Sequence, residues 1–160
     1  MKTINVVKGQ VLQTKGELDT KVYVVQSGLL RSYSIDENGK EHIYLFAPEE
    51  WIIADACRRD EPCELFIDAI EDATVTVHEK VLGTKIVDQQ PFINRLRVLQ
   101  NRIILLMSAS AIERYEHFVE TYPDIVQRVP QRMIASYLGM TPEALSKVKS
   151  ARVKGKVAKE

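Results

Sequence analysis

Proline, glycine and threonine residues mark helix ends near the C-terminal end of the chain, in the segment VPQRMIASYLGMTPEALSKVKS (129–150). Pro130 suits the first turn of a helix, and Gly139 suits the left-handed residue that follows one. Thr141 can cap a second helix, and Pro142 can occupy its first position. The spacing therefore predicts two short helices around a tight turn, a helix-turn-helix.

The second of these helices is predicted to be apolar on one side and cationic on the other. Ile134, Ala135, Leu138, Leu145 and Val148 recur at spacings that place them between the two helices. Such a helix can place its N-terminal side chains in the major groove of double-stranded DNA. An αα-hairpin buried in an interior would explain the apolar positions but not the cationic face. The residues predicted to contact DNA are Gln131, Thr141, Pro142, Glu143, Ser146, Lys147, Lys149, Ser150, Arg152 and Lys154.

Charge is divided unevenly along the chain, although its formal net charge is zero. Residues 1–127 contain 14 Lys and Arg against 20 Asp and Glu, whereas residues 128–160 contain 8 against 2. A basic end on an acidic body is typical of a polyanion-binding module. No apolar run reaches the length of a membrane span, and the polar N-terminus is unlike a secretory signal, so a cytoplasmic protein is expected.

Two cysteines, Cys57 and Cys63, are too few for a disulfide scaffold or a four-thiolate metal cluster. They are expected to be reduced structural thiols, with a redox-sensing pair as the alternative. No cofactor and no metal are predicted.

Short runs rich in β-forming residues, separated by turn residues, occupy the first 80 positions. The runs are 22–25, 29–35, 42–46, 66–70 and 73–77. This spacing favours a sandwich, roll or barrel. Asn38-Gly39 between two runs predicts a type I′ hairpin turn.

A helical pattern begins at about Pro91. Apolar positions there step by four and three residues, which is the spacing of a two-helix seam, and Pro123 should end the following helix near Tyr122. The predicted interface of a homodimer is Phe92, Leu96, Leu99, Ile103, Leu106 and Ser110. The alternative is a helix packed lengthwise on its own β domain.

These elements predict an α+β protein. An N-terminal antiparallel double-stranded β-helix (a jelly-roll, 1–86) precedes a long dimerisation helix (87–112) and a C-terminal helix-turn-helix domain (113–160).

Three stretches together resemble the CRP/FNR family of bacterial transcriptional regulators. QSGLLRSYSIDENGKEHIYLFAPEEW (26–51) is similar to the family's G-x-x-R strand, hairpin and following turn, and FIDAIEDATVTV (66–77) is similar to its closing strands. RVPQRMIASYLGMTPEALSKVK (128–149) is especially similar to the helix-turn-helix of the Bacteroidetes-type branch. The resemblance implies a dimeric regulator that binds double-stranded DNA and has a β-roll sensor domain. The hinge between them is expected near 109–115.

The sequence departs from the family pattern at positions where family members bind their effectors. The Gly-Glu of the cyclic-nucleotide phosphate cassette is replaced by Ile52-Ile53, and Cys63-Glu64 stands near the position of its arginine. We therefore predict that the β-roll does not bind cyclic AMP and that any small-molecule effector is unknown. Two cysteines cannot hold the FNR-type iron–sulfur cluster, and residues 91–111 contain no histidine for haem. The candidate effector pocket comprises Ile52, Ile53, Asp55, Cys63, Glu64 and Phe66.

The second helix of the predicted helix-turn-helix, which would read the DNA bases, also departs from the family pattern. Pro142, Glu143 and Lys147 occupy positions where the family carries an Arg-Glu…Arg set, and the family's leading helix and a clear wing hairpin are not evident. One alternative is therefore a β-roll sensor or protein-interaction module with a degenerate DNA-binding end. A cupin-type enzyme is disfavoured because His42 and His78 form no His-x-His pair.

Overall fold

The computed structural model describes residues 2–80 and 90–157, and the description omits the side chains of residues 91, 92 and 153–157. It divides into two compact units, Met1–Arg95 and Leu96–Glu160. The first predicted domain boundary, at residue 86, lies outside the described residues.

The first unit is built from eight described strands in two antiparallel sheets. The sheet orders are β1-β8-β3-β6 and β2-β7-β4-β5. This confirms the predicted antiparallel roll and the α+β class, although β1, β2 and the two-residue β6 were not predicted. The strands are β1 Lys2–Val6, β2 Val11–Gln13, β3 Lys21–Ser27, β4 Leu30–Ile35, β5 Glu41–Ala47, β6 Ile52–Ile53, β7 Phe66–Ala69 and β8 Ala73–Glu79.

Alternation along the strands places apolar side chains between the two sheets. Val25 and Val75 from one sheet and Leu45 and Ile67 from the other are almost completely buried. Gly28 precedes β4 with φ of +86°, and a Cβ there would come within 2.7 Å of Ala73 Cα. Glycine is therefore required at this point for both conformation and space.

The β4–β5 hairpin differs from the predicted type I′ turn. A type I′ turn needs positive φ at both central residues, but Gly39 has a φ of +76° and Asn38 is not among the described residues with positive φ. The Gly39 N–H instead donates to Asp36 O at 3.0 Å. This is a type I turn followed by a left-handed glycine, and it is stabilised by the Asp36 carboxylate, which accepts hydrogen bonds from the N–H groups of Asn38 and Lys40.

Five helices follow the roll within the described residues. They are α1 Gln90–Ser108, which starts in the first unit, and α2 Ala111–Thr121, α3 Ile125–Arg128, α4 Gln131–Tyr137 and α5 Pro142–Val157 in the second. The predicted end of a helix before Pro123 is confirmed, since Tyr122 is the C-cap of α2. No described helix is both long and apolar enough to cross a membrane.

A helix break separates α1 from α2 inside the predicted hinge. Ser110 caps α2 through a reciprocal capping box with Glu113: the Ser110 hydroxyl accepts from the Glu113 N–H, and the Glu113 carboxylate accepts from the Ser110 N–H at 2.7 Å. The Ser110 side chain is committed to this cap, and its prediction as a residue of the dimer interface stays a prediction.

Three aromatic rings form the centre of the second unit. Phe118, Tyr122 and Tyr137 lie with ring centroids 5.3 to 6.0 Å apart. Ile125 and Ile134 are buried with them. This core fixes α2 against α4, the first helix of the predicted helix-turn-helix.

Candidate nucleic-acid interface and effector loop

The turn between α4 and α5 has the geometry of a Schellman motif. The Met140 N–H donates to Ala135 O at 3.0 Å and the Gly139 N–H donates to Ser136 O at 3.1 Å. Gly139 has φ of +64°, and a Cβ on it would lie 3.1 Å from Leu106 Cδ2. The predicted left-handed glycine is confirmed, and it ends α4 sharply enough for α5 to begin three residues later.

The start of α5 also follows the prediction. Thr141 Oγ1 accepts a hydrogen bond from the Ala144 N–H at 3.2 Å, and Pro142 is the first residue of the helix. Glu143 lies in this first turn, where its own backbone N–H and then the Thr141 hydroxyl lower the pKa of its carboxyl. Pro130 is the N-cap of α4, one position before its predicted place.

One face of α5 is fully exposed and polar. Glu143, Ser146, Lys147 and Ser150 recur at three- and four-residue spacing on it, and all are exposed. Leu145, on the opposite side, is completely buried together with Ala135 of α4. Thr141, Pro142 and Gln131 are exposed at the N-terminal ends of the two helices.

Two predicted DNA contacts lie away from this face. Lys149 and Arg152 follow Leu145 at four and seven residues, and both are partly buried. The guanidinium carbon of Arg152 lies 5.7 Å from the ring centroid of Tyr115 in α2. Helical geometry puts both on the packed side of α5, and their prediction as phosphate contacts stays a prediction. The side chain of Lys154 lies outside the described residues.

Two arginines hold the C-terminal end of α4. Arg102 of α1 donates to Tyr137 O and Arg114 of α2 donates to Leu138 O, each at 2.8 Å. The last carbonyls of a helix have no partner within it, so these bonds satisfy groups that would otherwise be exposed or unpaired. Neither arginine was predicted to have this role, because a lone arginine in a helix gives no sign of its partner.

Several large apolar side chains of α1 are exposed, and only some of them belong to the predicted dimer interface. Leu96 is 65% exposed, Ile103 57% and Met107 82%, and Ile104 is exposed beside them. Leu99 is half-buried, and Leu106 is 41% exposed although its Cδ2 also lies close to Gly139. The side chain of Phe92 lies outside the described residues. We call Leu96, Ile103, Ile104 and Met107 the α1 stripe.

The loop that replaces the phosphate cassette is organised around Asp55. Its carboxylate accepts hydrogen bonds from the N–H groups of Cys57, Glu64 and Leu65 at 2.8 to 3.0 Å. Burial opposes ionisation, but these three backbone donors outweigh it and lower the pKa of Asp55. Asp55 is therefore a structural carboxylate that closes the loop on itself.

The other predicted pocket residues point in different directions. Ile52 and Ile53 form β6 and pair with Val24 and Tyr23 of β3, and the Ile53 side chain is completely buried. Glu64 is 76% exposed and pairs with Lys15.

Two further members of the set contact neighbouring segments of the roll. The Cys63 thiol is buried and donates to Thr14 O, and burial raises its pKa. The Phe66 ring stacks on Tyr33. Cys57 is also a free thiol and lies 3.3 Å from the Lys80 ammonium. The six pocket residues therefore do not all face one space.

The loop organised around Asp55 is also attached to the start of α1. Arg95 donates to Ala54 O at 2.8 Å, and burial lowers the pKa of its guanidinium. Within the described residues, no three His, Cys, Asp or Glu side chains are grouped closely enough to hold a metal ion.

A buried ion pair between β4 and β7 was not predicted. Arg31, the arginine of the G-x-x-R sequence, is 7% exposed and binds both carboxylate oxygens of Asp68 at 2.7 and 2.9 Å. Its Nη1 donates to Glu41 at 2.6 Å. Burial works against the charge, but the hydrogen bonds of Asp68 and then Glu41 raise the pKa of Arg31. Arg31 therefore supports the roll.

We expect Asp55→Asn to destabilise the roll by about 1–3 kcal/mol at neutral pH, because an amide replaces one acceptor of the backbone N–H groups with a donor. The folded-state pKa of Asp55 is lowered, so its stabilisation is present above the unfolded pKa near 3.9 and is lost as pH falls through the folded value. Urea unfolding at pH 7 and at pH 3 measures both effects. Equal differences at the two pH values would contradict the prediction, and Asp60→Asn, an exposed change in the same loop, is the control.

Comparison with known proteins agrees with this architecture. Residues 3–90 match the cyclic nucleotide-binding domain family. A curated relative, the anaerobic regulatory protein of Aggregatibacter actinomycetemcomitans, is 27% identical over 88% of this chain. The chain spans 63% of that relative's length.

Two solved structures share the fold over nearly the whole chain. FixK2 from Bradyrhizobium japonicum is 23% identical with a TM-score of 0.77, covering 96% of this chain and 85% of its own. A CRP/FNR-family transcriptional regulator from Thermus thermophilus is 16% identical with a TM-score of 0.76, covering 96% and 87%. A β-roll followed by a long helix and a helix-turn-helix defines this class of protein. The chain belongs to the cyclic nucleotide-binding domain family, and it shares the fold of the CRP/FNR-family regulator from Thermus thermophilus.

Proposed function

We propose that this chain is a homodimeric, DNA-binding transcriptional regulator that acts in the cytoplasm and whose β-roll does not bind cyclic AMP. The observation that carries the proposal is the exposed polar face of α5, which stands opposite a fully buried Leu145 and directly after the Gly139 turn. A helix presented in this way fits the major groove of B-DNA.

The exposed face suggests how the helix reads DNA. The Glu143 carboxylate can accept from the amino group of cytosine, and the Lys147 ammonium can contact a phosphate or a guanine edge. Lysine lacks the planar fork of arginine, so it contributes charge more than base discrimination. The side-chain amide of Gln131, exposed at the start of α4, can donate to a phosphate oxygen. The operator should therefore differ from that of family members with reading arginines.

The α1 stripe supports the dimer. Four large apolar side chains exposed on one side of a helix would gain free energy by packing against a second copy. A two-fold axis through α1 would pair two reading helices, whose spacing should match one turn of DNA, about 34 Å.

The residues at the positions of the phosphate cassette argue against binding of cyclic AMP. A buried isoleucine stands where the family's glutamate would hold the ribose, and the exposed Glu64 would repel a cyclic phosphate. Any effector is therefore of another kind. A coupling of about 1–3 kcal/mol between its site and the DNA would suffice for regulation.

The proposal is tested by selecting bound fragments from genomic DNA with the purified protein. We expect a two-fold symmetric motif with half-sites one helical turn apart and an affinity that falls steeply as salt rises. Failure to enrich any sequence, with no binding to duplex DNA at low salt, would refute it.

Lys147→Ala is expected to weaken binding to the selected DNA about tenfold per dimer and to lower the salt dependence of binding by about two counterions, because each protomer loses one phosphate contact. Fluorescence anisotropy over a range of salt concentrations measures both. Lys40→Ala removes an exposed lysine from the roll and is the matched control. A Lys147→Ala dimer with unchanged affinity and salt dependence would exclude α5 as the reading helix.

A second candidate function is a β-roll sensor or protein-interaction module whose DNA-binding end is degenerate. The exposed Pro142 favours it, since proline offers no side-chain hydrogen bond at a position where a base contact is expected. Under this alternative, Lys147→Ala would leave partner binding intact and no DNA would be selected.

A further inference from the structure

The start of α5 exposes a proline beside the polar face that is proposed to read DNA. Pro142 is the first residue of the helix, and it lies one turn before Ser146 of the exposed face. The N-terminal residues of a reading helix are the ones that contact base edges in the major groove. Base recognition by α5 therefore includes an apolar ring whose side chain neither donates nor accepts a hydrogen bond.

The hydroxyl of the preceding residue, Thr141, is already used inside the turn. Its Oγ1 accepts from the Ala144 N–H at 3.2 Å, and the hydroxyl donates to the Glu143 carboxylate. A hydroxyl has one proton to donate, so Thr141 has none left for an acceptor on a base. The same bond helps to hold the Glu143 carboxylate in place. The polar contact at the start of the helix therefore falls to Glu143, and the apolar contact to Pro142.

One group in the major groove matches an apolar ring. Guanine, adenine and cytosine present acceptors and amino donors there, whereas thymine also presents its C5-methyl group. A proline ring packed on a donor or acceptor removes water from it without replacing the hydrogen bond, which costs free energy. A ring packed on the methyl group buries apolar surface on both sides. Pro142 is therefore suited to thymine and unsuited to the other three bases.

We propose that Pro142 is a specificity-determining residue that packs its ring on the C5-methyl group of a thymine in each half-site, next to the base pair that Glu143 contacts. This inference rests on the proposed DNA-binding function and names the base chemistry of its reading helix. It gives Pro142 a part in recognition that the second candidate function denies it.

The test removes the methyl group from the DNA and leaves the protein unchanged. Each thymine of the selected operator is replaced in turn by deoxyuridine, which pairs with adenine in the same way but lacks the methyl group. We expect one position in each half-site at which affinity, measured by fluorescence anisotropy, falls about fourfold, and about fifteenfold when both half-sites are changed, as for the loss of one buried methyl group per protomer. Bromodeoxyuridine at that position, whose bromine is about the size of a methyl group, should restore the affinity to within about twofold.

Pro142→Ser assigns the lost contact to this residue. The variant keeps Thr141 as the cap of α5 but has no ring, so it should bind the thymine and deoxyuridine operators with affinities within about twofold of each other. Pro130→Ser makes the same change at the exposed N-cap of α4, where serine is a favoured residue. This control should keep the full loss of affinity when the methyl group is removed.

Three results would overturn the inference: an operator without thymine in its half-sites, affinities that no deoxyuridine substitution changes, or a Pro142→Ser variant as sensitive to the methyl group as the wild type. Each of these leaves DNA binding itself in place. A protein that selects no duplex DNA refutes the proposed function and this inference together, so the two failures are distinguishable.

Discussion

Arg31→Met is expected to destabilise the β-roll by about 3–5 kcal/mol. The variant removes the guanidinium that binds both oxygens of Asp68, whose side chain is only 12% exposed, and leaves that carboxylate buried without its cation. Removal of one partner of a buried pair is costly because the remaining charge can neither reach water nor find a new counterion. Urea unfolding of the full chain, followed by the near-ultraviolet signal of Trp51 in the roll, measures the loss.

Two controls separate the buried charge from the loss of packing. Arg31→Met with Asp68→Leu removes both charges and should recover most of the stability, because Glu41 is half-exposed and can be solvated. Arg58→Met removes an exposed arginine that pairs with Glu61, and it should cost less than about 1 kcal/mol. If Arg31→Met were as mild as Arg58→Met, the pair would not be a main support of the roll.

Ile103→Asp is expected to convert the proposed dimer to monomers, with the dimer dissociation constant rising at least about 10³-fold. Dimerisation would bury this half-exposed isoleucine twice, once from each copy, and the substitution would place two like charges near each other in an apolar seam. Sedimentation equilibrium at micromolar concentration measures the change. DNA affinity should fall with it, because each monomer then binds one half-site only.

Ile112→Asp is the matched control for Ile103→Asp. It makes the same change at an exposed isoleucine of α2, away from the α1 stripe, and should leave the dimer intact. Two results would show that the α1 stripe is not the dimer interface. One is a wild-type protein that is monomeric at these concentrations, and the other is an Ile103→Asp variant that remains dimeric.

Local features were predictable because their causes lie within a few residues. Gly139, Thr141 and Pro142 define the end of α4 and the start of α5 through bonds that reach no further than five residues. Pro123 ends α2 for the same reason. The alternating β-rich runs became β3, β4, β5, β7 and β8. The turn type of the β4–β5 hairpin was predicted wrongly, since Asn-Gly fits more than one hairpin turn and the Asp36 carboxylate stabilises a different one.

Features that depend on contacts between residues far apart in the sequence were not predicted, or were predicted at the wrong residues. Nothing near Arg31 in the sequence identifies Asp68, 37 residues away, as its partner. The short strands β1, β2 and β6 form because partner strands are available, not because their own sequences require it. The seam of α1 was predicted from spacing alone, and the packing of α2 and α4 then determined which apolar residues turn inward.

The sequence by itself determined the order of a β-roll, a long helix and a helix-turn-helix, together with the basic character of the last 33 residues. These features follow from side-chain periodicity and from helix caps and tight turns, whose interactions are local in the sequence. Only the tertiary structure decided that Lys149 and Arg152 lie on the packed side of α5, that the α1 stripe is Leu96, Ile103, Ile104 and Met107, and that Arg102 and Arg114 hold the end of α4. Each of these depends on the direction in which one helix faces another, and that direction is set by the complete packing of the unit.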